Sequence, residues 1–99
     1  MTMSEPDEVI HQSTRLRIVA ALNALPSGEA MEFASLKTAL GATDGNLGAH
    51  LTTLEKAGYI NVVKEFVGRK PRTSVSLTRT GRRAFDKHVQ FLRSLLEPE

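Results

Sequence analysis

Ninety-nine residues, about 40% of them hydrophobic, suffice for one globular domain with a modest core and not for two. The absence of cysteine excludes a disulfide framework, a thiolate metal site and a cysteine redox switch. Formal charge is only +2, yet from Arg69 to Lys87 seven basic residues (Arg69, Lys70, Arg72, Arg79, Arg82, Arg83, Lys87) accompany a single acid, Asp86, which leaves the remainder of the chain net negative.

Such a stretch suggests a directed contact with a polyanion, the alternative being a solvated face without a partner. Residues 1–12 are polar, with Pro6 and three acids, and are expected to form a flexible N-terminal tail frayed at least to Val9. They hold no apolar stretch of the kind that directs export, and no apolar run elsewhere approaches a membrane span. A cytoplasmic location without membrane contact is expected.

Ser13 or Thr14 can cap a first helix running to about Leu25, where Pro26-Ser27-Gly28 stops it. Leu16, Ile18, Val19, Ala20, Ala21, Leu22 and Leu25 make this helix apolar nearly all round, so it is either central to the core or shared with a partner chain. Glu29–Glu32 suits a brief edge strand. A second helix is expected over Phe33–Leu40, where Phe33, Leu36 and Leu40 recur at helical spacing, and Gly41-Ala42-Thr43 turns the chain into a third.

In the third helix Leu47, Leu51 and Leu54 follow at spacings of four and three, the rhythm of one face turned to a core. Thr43 can accept a bond from the orphan amides of the first turn, Asp44 favours that positive end, and Gly58 suits the helix stop. The face left over carries Asn46, Ala49, His50 and Thr53, small or polar and without negative charge. That face can enter a groove and offer hydrogen bonds there. Two helices joined by a short glycine-containing turn form a helix-turn-helix. Gly45 and Gly48 weaken the helix by roughly 1 kcal/mol each against alanine; close approach of the backbone to a partner is one explanation, crowding against the second helix another.

From Tyr59 to Val67 the texture turns β-branched and aromatic, a strand, and Thr73–Leu77 alternates as its returning partner. Val67–Arg72 between them contains Gly68 and Pro71, so a hairpin is expected with Arg69, Lys70 and Arg72 at its tip. Thr78 or Thr80 caps the last helix, which runs to about Leu96 and stops at Pro98. There Ala84, Phe85, His88, Val89, Phe91, Leu92, Leu95 and Leu96 span an arc of about 160°, broader than the roughly 100° stripe of a one-sided surface helix. This arc and the first helix suggest a shared interface between two copies, with Leu16, Val19, Ala20, Phe85, His88, Val89, Leu92, Leu95 and Leu96 as its residues. The alternative is that both helices wrap the domain's own core.

The order helix, short strand, helix, turn, helix, basic hairpin, helix resembles the winged helix-turn-helix regulators of the MarR and ArsR kind. Three segments carry the resemblance: residues 40–60, with His50-Leu-Thr-Thr-Leu-Glu-Lys-Ala-Gly-Tyr-Ile60 the most specific part; Val67-Gly-Arg-Lys-Pro-Arg72; and Leu77-Thr-Arg-Thr-Gly81. The likeness covers about Thr14–Leu96 and is closest to a compact MarR-like subgroup, little more than one winged helix with a terminal dimerising helix. It implies an α+β, mostly helical fold over residues 13–97, a recognition helix at Asp44–Ala57 and a wing at Val67–Arg72. The function implied is sequence-specific binding of double-stranded DNA by a transcriptional regulator, a homodimeric repressor on an inverted repeat. On that reading Asn46, Ala49, His50 and Thr53 face base edges and phosphates, the amide end at Thr43, Asp44 and Gly45 faces a phosphate, and Arg69, Lys70 and Arg72 reach backbone or minor groove. Gly48 and Ala49 stand where relatives often carry larger polar or basic residues.

The competing reading is a winged helix that binds protein, its basic hairpin gripping an acidic partner. No metal site is expected: His11, His50 and His88 are scattered, and Asp86 with His88 echoes only the first half of an ArsR-type zinc motif. No nucleophile–base pair, phosphate-cradling glycine loop or paired acids suggest an enzyme, and no cofactor is implied. A small-molecule effector, if one acts, has to sit between helices at the dimer interface.

Overall fold

A computed structural model describes residues 6–97, and its centre is α1 (Ser13–Asn23). Around it follow β1 (Ala30–Glu32), α2 (Phe33–Leu40), α3 (Asp44–Lys56), β2 (Ile60–Val67), β3 (Lys70–Leu77) and α4 (Arg79–Leu96), the mostly helical α+β architecture of a winged helix with a C-terminal helix. The all-round apolarity of α1 has an internal cause. Ile18, Val19 and Leu22 are wholly buried, Leu16, Ala21 and Leu25 pack partly against the same cluster, and α2, α3, α4 and β3 all touch the helix. Val19 therefore belongs to this chain's own core and is unavailable to a partner, a correction to the expected interface. Ala20 is exposed and Leu16 half-buried.

The cap of α1 lies one residue earlier than expected. Gln12 accepts from the Arg15 N–H at 3.0 Å, so neither Ser13 nor Thr14 is needed. Upstream of it the expected tail is corrected as well. Ile10 is fully buried, and the Asp7 carboxylate accepts from the Val9 N–H (2.9 Å), the Ile10 N–H (3.0 Å) and the Tyr59 hydroxyl (2.6 Å). The Asp7 N–H donates to His88 Nδ1 at 3.2 Å. Residues 6–12 thus form a strap across the start of β2 and the middle of α4; residues 1–5 of the expected tail lie outside the described residues. Burial and the Asp7 carboxylate push the Tyr59 hydroxyl up to about 12.

His88 is fully buried against His11 and Phe91, with ring centroids 5.4 and 5.8 Å away. Burial, and then the neighbouring His11, hold its pKa below the usual imidazole value. It is a core histidine, which removes it from the expected dimer face. Among the described residues no three His, Asp or Glu gather as metal ligands, and no helix is long and apolar enough to cross a membrane.

The antiparallel sheet has the order β1-β3-β2. β2 and β3 pair from Ile60↔Leu77 out to Val67↔Lys70, whereas β1 covers only Ser74–Ser76. The loop is just Gly68-Arg69, with Gly68 at φ 67°. A positive φ at the first central position alone suits a type II′ hairpin and favours glycine there. The returning strand consequently begins at Lys70 rather than Thr73. Pro71 is tolerated within it because β3 has an open side beyond the reach of β1, where a missing N–H breaks no ladder. Thr78 caps α4, accepting from the Gly81 N–H at 2.9 Å.

Candidate nucleic-acid interface

The buried face of α3 is the leucine stripe, Leu47, Leu51 and Leu54 being at most 4% exposed. Thr43 caps the helix, accepting from the Asn46 N–H at 3.2 Å. Asp44 pairs with Lys37 of α2 at 2.7 Å, which joins the two helices and offsets a carboxylate that would otherwise repel a phosphate at this end. Gly41, in left-handed conformation, ends α2 and sets the turn between them.

Successive α3 residues are about 100° apart, and the stripe fixes which of them look outward. Gly45, Asn46, Ala49, Thr52 and Lys56 are all exposed along the outer face, with Asp44 and Glu55 at its edges. Thr52 and Lys56 are additions to the face expected from sequence, and their position opposite the stripe is the signal that marks them. His50 and Thr53 are half-buried, and His50 lies at the margin toward α1. Arg15, a further addition, lies beside His50, its guanidinium 3.2 Å from Nδ1. A guanidinium only donates, so Nδ1 is the acceptor and Nε2 carries the proton. His50 thereby offers a donor to a ligand. The Thr52 and Thr53 hydroxyls donate to Gly48 O (3.0 Å) and Ala49 O (3.3 Å), which leaves their lone pairs to accept. Asn46 can both donate and accept, as the adenine N6/N7 edge requires.

A Cβ built on Gly45 or Gly48 meets nothing within 4 Å. Crowding against α2, one of the two explanations for these glycines, is thereby ruled out. Gly48 lines a groove of about 500 Å³ with Leu51, Thr52 and Glu55 on one wall and Val62, Lys64 and Thr73 of the sheet on the other.

The wing separates its three expected cations. Arg69 and Lys70 are exposed at the tip, in no ion pair among the described residues. Arg72 instead bridges Glu65 (3.1 Å) and Glu32 (3.4 Å), on the sheet face away from the groove, and ties the hairpin to β1. Being surface pairs, these contribute about 0–1 kcal/mol each. A separate cleft of about 670 Å³ lies within the single chain, between the strap at Asp7, Tyr59 and the Thr80, Arg83 and Lys87 side of α4.

A solved transcriptional regulator homologue from Pyrococcus horikoshii has a similar fold, with TM-score 0.81 at 24% identity over 91% of this chain and 86% of its own. A protein of Porphyromonas gingivalis assigned to the MarR family of transcriptional regulators gives 0.69 at 19% identity, over 93% and 86%. An uncharacterized protein of Methanocaldococcus jannaschii is 34% identical over 82 residues, 83% of this chain and 86% of the relative. The family model described as a winged helix DNA-binding domain matches residues 14–96, and the chain belongs to that family.

Proposed function

We propose that this protein is a homodimeric, sequence-specific regulator of transcription that lays α3 in the major groove of double-stranded DNA and its wing along the flanking backbone. Its role is binding rather than catalysis, in the cytoplasm. The observation that carries the reading lies on α3, a helix that alanine would stabilise: two glycines that no neighbour requires, Gly45 on the outer face with Asn46, Thr52 and Lys56, and Gly48 on the groove wall beside it. The stability lost at these glycines has a reason if a duplex comes close to them.

Gly45→Ala tests that reason directly. It should raise stability by about 1 kcal/mol and the midpoint of thermal unfolding by about 4–8 °C. Affinity for a duplex recovered by selection from random 30-mers should fall at the same time. A variant that is more stable and binds unchanged would remove close approach as the explanation.

The tip cations have a different signature. A phosphate contact adds about 0.9 to the slope of log affinity against log salt, so Arg69→Ala and Lys70→Ala should each flatten that slope by about one on any sequence. Arg72→Ala should leave it unchanged, because its guanidinium is held by Glu32 and Glu65. Anisotropy titrations at several salt concentrations read the three slopes side by side. Repression of a promoter carrying the selected site, relieved by the same variants, tests the repressor assignment. If the wild-type chain binds no duplex above background yet captures an acidic protein through Arg69 and Lys70, the winged helix is a protein-binding module.

A further inference from the structure

Phe66 is 74% exposed near the end of β2, with Val67 beside it at 50% and Pro71 directly opposite on β3. Strand alternation puts Phe66 on the face of Val62 and Lys64, the face that forms one wall of the groove against α3. The last buried residue of the paired strands on this face is Val75, opposite Val62. Beyond that pair Phe66 stands four residues further along β2, about 13 Å at 3.3 Å per residue, and the strand ends one residue later at Val67. Half the 34 Å repeat of a duplex, about 17 Å, separates a helix seated in one major groove from the neighbouring minor groove. The hairpin tip reaches about that far, with the ring one residue short of the strand end.

Around the ring the charge is cationic: Lys64 precedes it on the same face, and Arg69 and Lys70 stand at the tip. Two such hairpins brought together would repel, which weighs against a second copy as the occupant. An apolar ring between cations does fit a minor groove, where sugars line the walls, base edges the floor and phosphates the rims. Pro71, with its fixed φ, stiffens the backbone opposite the ring.

We propose that Phe66, supported by Pro71, is an apolar wedge that enters the minor groove beside the major groove read by α3 and prefers a flexible pyrimidine–purine step. The proposal rests on the DNA-binding reading. It makes the wing a reader of deformability: TA and CA steps open to a wedge with less resistance, whereas stiff A-tracts with narrow grooves resist it.

The experiment uses the full chain and fluorescein-labelled 30-bp duplexes recovered by selection, their flanks rebuilt with either a TA step or an A-tract. Phe66→Ala should weaken binding to the TA duplex about tenfold and to the A-tract duplex much less. The salt slope should be unchanged, because an apolar contact releases no counterion. Phe66→Leu, which keeps an apolar wedge, should stay within about threefold of wild type. 2-Aminopurine placed in the TA step should brighten on binding wild type and remain dim with Phe66→Ala. Since the ring is exposed, the variant's melting temperature serves as a folding control. Wild-type affinity retained by Phe66→Ala, or a flattened salt slope, would overturn the wedge alone. A lower sedimenting mass for Phe66→Ala would assign the ring to contact between copies and also overturn it. Failure of the wild-type chain to bind any duplex would instead bring down the DNA-binding reading on which the wedge depends.

Discussion

Gly81→Ala is expected to destabilise the domain by about 3 kcal/mol or more, above the usual 1–3 kcal/mol of an overpacked core site. Gly81 is buried in the first turn of α4, and an added Cβ would stand 2.1 Å from the carbonyl oxygen of Tyr59, 2.9 Å from its carbonyl carbon and 2.8 Å from Leu77 Cδ1. Two of these three atoms are backbone and cannot rotate away. The backbone is also pinned to the cap of α4: Tyr59 O accepts from the Thr78 N–H at 3.0 Å, and the Thr78 hydroxyl donates to Gly58 O at 2.7 Å. Relief of the clash would have to break the junction between the end of the helix-turn-helix and the start of the last helix. At about 4–8 °C per kcal/mol for a domain of this size, the melting temperature should drop by about 12–24 °C. Gly45→Ala, the same chemical change on an open helix face, should move it in the opposite direction. A Gly81→Ala protein that melts within about 3 °C of wild type would refute the close-packed junction.

The parts of this molecule that were legible in its sequence are those written by local physics. Leu47, Leu51 and Leu54 announce the buried face of α3 by spacing alone, and Thr43 announces its cap by chemistry; all hold these roles, and of Thr78 and Thr80 it is Thr78 that caps α4. Phe33–Leu40 and the short edge strand ending at Glu32 follow from the same kind of reasoning. What stayed hidden depends on contacts between distant positions. Asp7 reads as part of a polar tail, because nothing near it indicates Tyr59 or His88, which lie 52 and 81 residues further on.

Likewise the apolar residues of α1 and α4 cannot say whether they meet their own chain or another. Val19 and His88 are filled from within, and only the fold decides that. On α3, spacing identifies a polar face but not its centre. Arg15 comes across from α1 to cover His50, which shifts the exposed stripe toward Thr52, Lys56 and the wing. Sequence proximity groups Arg72 with Arg69 and Lys70, yet strand alternation turns it toward two glutamates.

Leu95→Glu combined with Leu96→Glu should convert the proposed dimer to a monomer and remove most of its affinity for an inverted repeat. Along α4 one apolar stripe is used in two ways. Its first half, with Gly81, Ala84, Phe85 and His88, packs on the chain's own body, while Leu95 and Leu96 continue it at 55% and 81% exposure. Cutting the chain before Phe85 would therefore remove core together with any interface, and the two exposed leucines make the cleaner test. In a two-fold interface each substitution occurs twice, so four carboxylates would be placed in an apolar contact. A loss of about 8 kcal/mol, four interface residues at about 2 kcal/mol each, lowers the association constant nearly a millionfold. Sedimentation equilibrium should then report one chain in place of two, with the melting temperature of the monomer little changed. On DNA, two α3 helices bound to successive major grooves read half-sites about 34–36 Å apart, and a monomer can hold only one of them. Affinity for the inverted repeat should fall to that of an isolated half-site. Unchanged sedimenting mass would exclude this end of α4 as the dimer contact. A monomeric variant that still bound the repeat as tightly as wild type would show that the two helices do not read it together.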